Sequence, residues 1–415
     1  MIPEVRLEEY TYELPAERIA QFPLPERDRC RLLVARRRER SVEHRHFFEL
    51  PQILPPGSLL VRNITRVVFA RLFLRKPTGG AVELLLLQPS QMDPARGLSA
   101  APPVQWQCLL RGHRVRPGVR LHAAAGEVLL EARLLERSAG SATVEFAWEP
   151  KDLLLAEVLE RLGQVPLPPY LRRDATEQDR EHYQTVYARV PGSVAAPTAG
   201  LHFTERLLEE LRRTGVQIAD VCLHVGLDTF KPLRAKHLAE HRMHSEHMSV
   251  SAAALQQLIE FLHRPSGGWL VAVGTTSVRT LESLYWHGVR LLRGDSHTWA
   301  SPSIAVRQWE PYEADTEIAP EKALSAVLEW MRHHSSANAE GTTELMIVPG
   351  YIFRLCDAII TNFHQPQSTL LLLVGAFLGR TFWRQVYEEA LHQGYRFLSY
   401  GDASLLVGRR GEAVE

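Results

Sequence analysis

His202 stands in the run Val194-Ala195-Ala196-Pro197-Thr198-Ala199-Gly200-Leu201-His202-Phe203, where it is the one titratable side chain among small residues. Ala, Gly, Thr and Pro leave the backbone open to close approach, so such a loop is shaped for a ligand. An imidazole there can act as a general base. His224, at the end of an apolar run, is a second candidate, and Asp228 and Asp402 are the carboxylates that could share the proton transfer. Each also has a purely structural reading, most seriously His224 as a buried histidine at a strand end. Gly274-Thr275-Thr276-Ser277-Val278-Arg279 offers a different chemistry. The free N–H groups of a helix start attract an anion, and Arg279, one turn in, would help to hold a carboxylate. Alternatively the threonines only cap the helix and Arg279 pairs with Glu282.

The elements that must position these groups alternate between strand and helix. Thr204 N-caps a helix over 205–213, in which Leu207, Leu208 and Leu211 form one apolar stripe before Gly215 ends it. Apolar stretches at 216–224, 269–273, 358–361 and 397–400 read as strands, and 276–286, 321–332, 368–377 and 382–393 as helices. Residues 172–184 read as a charged helix and 335–344 as a polar, mobile loop. This alternation predicts the α/β class, with a mixed, partly parallel sheet flanked by helices. In such a sheet the crevice at the carboxyl ends of the strands is the default ligand site. Gly274, Thr275 and Thr276 would meet there with Asn362 and His364, from Asn362-Phe363-His364-Gln365-Pro366, and with Pro197, Thr198 and Gly200.

Between 67 and 149 the hydrophobic period changes to two, over short runs bounded by Gly, Pro or Ser. This predicts a small antiparallel β-barrel inserted into the α/β domain. The expected division is 1–66 with 150–415 for the catalytic domain and 67–149 for the barrel. From Pro94 to Gly126 there is no acidic residue, while Arg111, Arg114, Arg116 and Arg120 are present. Like charges on hairpin loops repel, so a polyanion such as RNA fits there; a basic turn on an arginine-rich protein is the alternative.

Composition narrows the function classes. The 415 residues suffice for two domains. Lys and Arg number 48, as do Asp and Glu, so contact with nucleic acid must rest on local patches. No stretch of about 18 uncharged apolar residues occurs, and the N-terminus lacks the features of a secretory signal. A cytoplasmic protein is expected. Cys30, Cys108, Cys222 and Cys356 form no Cys-x-x-Cys pair, which argues against zinc knuckles and disulfides. Glu240-His241-Arg242-Met243-His244-Ser245-Glu246-His247 lacks metal-ligand spacing, so no metal is expected. The dinucleotide fingerprint Gly-x-Gly-x-x-Gly is absent.

Six ordered motifs then stand out: YQTVYARVPGSVAAPTAGLHFTERLLEEL, LHVGLDTFKP, HRMHSE, VAVGTTSVRTLES, ITNFHQPQSTLLLLVGAF and YRFLSYGDASLL. With ELPAERIAQFPLPERDRCRLLV and LLVRNITRVVFARL upstream, the chain resembles the S-adenosylmethionine:tRNA ribosyltransferase-isomerases of queuosine biosynthesis over nearly its whole length. The resemblance implies that S-adenosylmethionine donates its ribosyl part to the aminomethyl group of the 7-deazaguanine base preQ1 in a tRNA anticodon. Adenine and methionine leave, and the product carries an epoxycyclopentanediol. It implies S-adenosylmethionine as cosubstrate, no metal, and tRNA carrying preQ1 as partner; a monomer without membrane attachment is expected. The sulfonium acidifies the C5′ protons, so one of the candidate bases would start the sequence. Phe203, Phe230, Tyr351, Phe363 and Tyr400 are possible platforms for the modified base, and Arg66 a polar contact. The family has Gly where Asp228 stands, Asn or Asp at Ile64 and Pro at Phe69. These departures leave a second reading, a catalytically weakened paralogue that still binds tRNA or S-adenosylmethionine.

Overall fold

Leu59-Leu60-Val61 and Leu270-Val271-Ala272-Val273 bury every side chain, and successive residues go to opposite cores. Leu59, Val61, Leu270 and Ala272 enter one core; Leu60, Val271 and Val273 enter the other. Uninterrupted apolar strands of this kind belong inside a sheet covered on both faces. The protein, a computed structural model, is described over residues 3–138, 141–226, 238–264, 267–313 and 317–414.

In chain order the strands are Arg31–Arg36 (β1), Ser41–His46 (β2), Leu59–Asn63 (β3), Thr65–Val67 (β4), Arg71–Arg75 (β5), Ala81–Pro89 (β6), Val104–Arg111 (β7), Arg120–Ala125 (β8) and Val128–Ser138 (β9). They continue with Ser141–Glu149 (β10), Val190–Ser193 (β11), Gln217–Leu223 (β12), Glu246–Ser251 (β13), Leu270–Val273 (β14), Ile304–Val306 (β15), Asn338–Thr343 (β16), Ala358–Asn362 (β17) and Ala403–Val407 (β18). Ten of them form a sheet in the order β15-β16-β13-β12-β3-β14-β17-β18-β1-β2. Its centre, β12, β3, β14 and β17, is parallel, whereas β13 and β18 run antiparallel to their inner neighbours. The α/β class is thus the expected one. Helix Gly274–Leu292 leaves β14 directly and packs between the sheet and helix Pro320–His333.

Strands β5 to β10 close a barrel in the order β10-β7-β6-β5-β8-β9. Residues of β10 alternate inward and outward along its length, so one face fills the barrel interior. Helix Leu155–Leu162 adds Leu155, Val158 and Leu159 to the barrel's core. A separate pair, β4 with β11, lies where the chain leaves the main sheet for the barrel.

Three elements differ from expectation. Residues 397–400 do not form a strand, because Leu398 has a left-handed backbone with φ 67° that ends extended pairing. The closing strand is β18 instead. Residues 335–344 contain β16, an inner strand paired with β13 and β15. Its inward residues, Ala339, Gly341 and Thr343, are too small or polar to give a hydrophobic signal. Residues 172–184 form only the helical turn Asp179–His182. There Asp179 turns back to accept hydrogen bonds from the Thr176 N–H at 2.8 Å and from the Arg173 guanidinium at 2.6 Å.

At Gly288 two helices meet without an intervening side chain, since a Cβ there would stand 2.1 Å from the carbonyl oxygen of Ala323. Gly288→Ala must push helix Pro320–His333 outward and is expected to cost about 2 kcal/mol. The measurement is urea unfolding, and an unchanged midpoint would show that the two helices are not in close contact.

Candidate active site

Three parallel strands end at one place. β14 passes into its helix through Gly274, whose φ of 82° makes a turn that other residues resist. β17 ends at Asn362, and the chain beyond β12 reaches Val225. With the 3-10 turn Thr198–His202 they enclose a cleft. Pro197, Thr198, Ala199, Gly274, Thr275, Thr276, Thr361, Asn362, Phe363 and His364 form much of its wall. Among the described residues that line it there is no Asp, Glu, Lys or Arg. These described residues make a neutral wall, whose polar groups are hydroxyls, amides and one imidazole.

The helix start is open. No side chain caps it at Val273, and Thr276 Oγ1 has no hydrogen-bond partner among the described residues although Thr276 is only 8% exposed. An orphaned hydroxyl beside free helix N–H groups is what a carboxylate would satisfy. Arg279 does not join them. Its guanidinium turns inward to Glu246, with Nε donating to Leu345 O at 3.1 Å and Nη2 to Thr343 O at 3.3 Å. Neither a cleft ligand nor Glu282 is therefore its partner. Glu282 instead accepts the Tyr351 hydroxyl at 2.7 Å and the N–H groups of Arg354 and Leu355. That network places Tyr351 in the core, where Trp286 Nε1 donates to its hydroxyl at 2.9 Å.

The predicted bases lie behind the wall. His202 Nε2 accepts from Asn362 Nδ2 at 2.9 Å, Asn362 Oδ1 accepts from Thr198 Oγ1 at 2.9 Å, and His202 Nδ1 faces Cys30 Sγ at 3.3 Å. Burial, helped by the charges of Arg396 and Arg27, pushes the His202 pKa down to about 3. Asn362 therefore separates it from the cleft. His224 Nδ1 is bonded to Thr65 Oγ1 at 2.9 Å, beneath Gly192, whose added Cβ would meet the ring at 2.5 Å. Burial first, and His247 second, push its pKa down to about 4. Val225 reaches the cleft while His224 does not. Asp402 is also structural: it accepts the N–H groups of Arg31 at 3.0 Å and Arg396 at 2.8 Å, joining β1 to the turn before β18.

Several expected binding residues are likewise elsewhere. Phe203 is fully buried, edge-on to Phe47 with ring centroids 4.9 Å apart. Tyr400 donates to Asp179 at 3.0 Å. Gly200 backs onto Tyr187, whose hydroxyl an added Cβ would meet at 2.2 Å. Arg66, on another groove, pairs with Glu160 at 3.1 Å. Asp228 and Phe230 lie outside the described residues. Arg111, Arg114, Arg116 and Arg120 are exposed on the barrel, away from the cleft, and Arg120 pairs with Glu131 at 2.9 Å.

Tyr170, Gln365, Ser368, Leu398 and Ser399 also line the cleft, with Ala196 and Leu370, and were missed in the sequence. Gln365 and Ser368 could have been found, for they share a run with Asn362 and His364. Tyr170, hydrogen-bonded to Ser399, follows a proline-rich connector and gives no local sign of the site. His364 does line the cleft; Thr361 Oγ1 lies 2.8 Å from its Nε2, and burial pushes its pKa down to about 3.

A family model described as queuosine biosynthesis protein matches residues 7–406. The S-adenosylmethionine:tRNA ribosyltransferase-isomerase of Moorella thermoacetica is 41% identical over 408 residues, which cover 97% of this chain and 100% of that protein. Its counterpart from Symbiobacterium thermophilum is also 41% identical over 408 residues, with the same coverage. A crystal structure of S-adenosylmethionine tRNA ribosyltransferase from Thermotoga maritima is 30% identical and covers 96% of this chain and 100% of its own, with a TM-score of 0.46. The family match agrees with the motif resemblance.

The inward role of Arg279 can be measured. Glu246→Ala would leave a buried guanidinium without its carboxylate and is expected to cost about 3–5 kcal/mol in denaturant unfolding. A cost below about 1 kcal/mol, as for an exposed pair, would mean that Arg279 is not tied to Glu246 in solution.

Proposed function

The chain belongs to the queuosine biosynthesis protein family, and on that premise we propose that it is an S-adenosylmethionine:tRNA ribosyltransferase-isomerase. The observation that carries this reading is 41% identity across the full length of a relative of that name. S-adenosylmethionine supplies the ribosyl group, and its sulfonium acidifies the C5′ protons. The acceptor is the aminomethyl group of preQ1 in a tRNA anticodon, with adenine and methionine as leaving products. As in the sequence reading, the protein acts as a monomer in the cytoplasm.

The neutral cleft suits the cosubstrate. Thr276 Oγ1 and the first N–H groups of helix Gly274–Leu292 hold the methionine carboxylate, which answers the orphaned hydroxyl. Thr198, Thr275 and Ser399 offer hydroxyls to the ribose, and Pro197, Ala199 and Gly274 let it approach the backbone. His202 and His224 support the wall. The tRNA base must leave its stack to reach such a recess, while Arg111, Arg114, Arg116 and Arg120 meet backbone phosphates. No observation favours the weakened paralogue. Ile64 packs against the core beneath β3, and its N–H bonds Val221 O at 2.9 Å, so its apolar side chain has a structural use.

Adenine release from S-adenosylmethionine, with preQ1-bearing tRNA against unmodified tRNA, tests the reading. Release confined to the modified tRNA is expected; none with either would overturn it. Thr276→Val removes one hydrogen bond to a charged group, worth about 1.5–3 kcal/mol. The KM for S-adenosylmethionine should rise about 10- to 100-fold with kcat little changed. An unchanged KM would move the carboxylate away from this helix.

A further inference from the structure

Of the described residues lining the cleft, Tyr170 and His364 are the ones whose side chains ionise. Tyr170 is a poor proton acceptor, since burial pushes its phenol well above the usual range, and its hydroxyl is already bonded to Ser399. His364 is placed differently. Thr361 Oγ1 lies 2.8 Å from Nε2, no hydrogen bond to Nδ1 is found among the described residues, and the residue lines the cleft. The backbone around the ring is fixed independently: the His364 N–H donates to the Tyr387 hydroxyl at 3.1 Å, and the Tyr12 hydroxyl donates to the His364 carbonyl. A ring oriented at one nitrogen, with the other bare on the wall of a recess, is the arrangement of a general base.

We infer that His364 is the catalytic base, its Nε2–H donating to Thr361 while its Nδ1 takes the proton from the C5′ carbon of S-adenosylmethionine. This rests on the transferase reading above. The C5′–H bond breaks and its electron pair stays on carbon beside the sulfonium. The proton forms the Nδ1–H bond, so the positive charge passes from the reacting group to the imidazole. The imidazolium, once formed, returns this proton to the departing adenine, whose nitrogen needs one as its bond to the ribose breaks. The electron pair on C5′ forms a double bond to C4′ and expels the ring oxygen, whose electrons form a carbonyl at C1′ as the bond to adenine breaks, so the two proton transfers balance and regenerate the base before the preQ1 amine adds. Burial keeps the ring neutral and able to accept a proton but lowers its basicity, which the sulfonium offsets by acidifying C5′. It also makes the imidazolium a strong acid for the second transfer.

His364→Gln tests the assignment, because the bonds from Tyr12 and to Tyr387 involve the main chain and survive the change. A lost general base is worth about 10²- to 10⁴-fold. We expect kcat for adenine release to fall at least about 100-fold. Binding of S-adenosylmethionine by calorimetry should stay within about threefold, and deuterium uptake from solvent at C5′ should vanish. Imidazole added to His364→Ala should restore part of the rate. The ¹⁵N spectrum of the free wild-type protein should show His364 neutral with its proton on Nε2. A kcat within about threefold of wild type, or a proton on Nδ1, would overturn the proposal. Asp228→Asn, measured in parallel, tests the other candidate: a collapse of turnover there with His364→Gln active would transfer the role to Asp228. If the wild-type protein releases no adenine, it is the transferase reading that fails.

Discussion

The buried ion pair between Arg279 and Glu246 joins three parts of the site: the second turn of helix Gly274–Leu292, strand β13, and the chain leaving β12, whose Gly226 N–H reaches Glu246 Oε1 at 3.4 Å. Taking both charges out of water carries a penalty of several kcal/mol, and it is offset only when the remaining donors are also met. The carbonyls of Thr343 and Leu345 meet them. The pair therefore holds the helix start in register with the strand ends around it. It also keeps the guanidinium out of the cleft, so that among the described residues the groups there able to meet an anion are the helix N–H groups and Thr276 Oγ1.

Neutral networks give the remaining wall its shape. Thr198, Asn362, His202 and Cys30 are linked in sequence from the cleft into the core, and Asn362 also donates to Leu398 O at 3.2 Å. That last bond engages the left-handed residue that ends the preceding extended segment. Hydrogen bonds of this kind are strong where water is excluded, and an unmet group is correspondingly costly. Beside these linked groups, Thr276 Oγ1 stands buried without a hydrogen-bond partner among the described residues. The carboxylates of Asp179, Glu282 and Asp402, by contrast, accept backbone and side-chain donors throughout and serve the fold.

The barrel follows a different physical rule. Its alternating strands fill the interior with one face and give the other to water, so its arginines stay exposed, partly balanced by Glu83 and Glu131. The neutral cleft and the cationic barrel loops thus belong to separate layers of one chain. A formal charge of zero conceals this division, because the excess basic residues on the barrel are compensated elsewhere. Under the proposed function, attraction of phosphates to the barrel would leave the electrostatics of the cleft unperturbed.

By itself the sequence determined the α/β class, the barrel, most element positions, and the meeting of Pro197, Thr198, Gly274, Thr275, Thr276, Asn362 and His364 at strand ends. These were legible because they follow from periodicity, capping and the ordered motifs, all of which act over a few residues. Strand β16 was not, since Ala339, Gly341 and Thr343 carry too little apolar surface to mark their inward face. Tertiary structure alone decided which polar groups were already occupied. Arg279 found Glu246, His202 found Asn362, and Tyr170 met Ser399 across more than two hundred residues of chain. Partnership between distant residues leaves no local pattern, yet it decides whether a histidine supports a wall or presents a free nitrogen to a ligand.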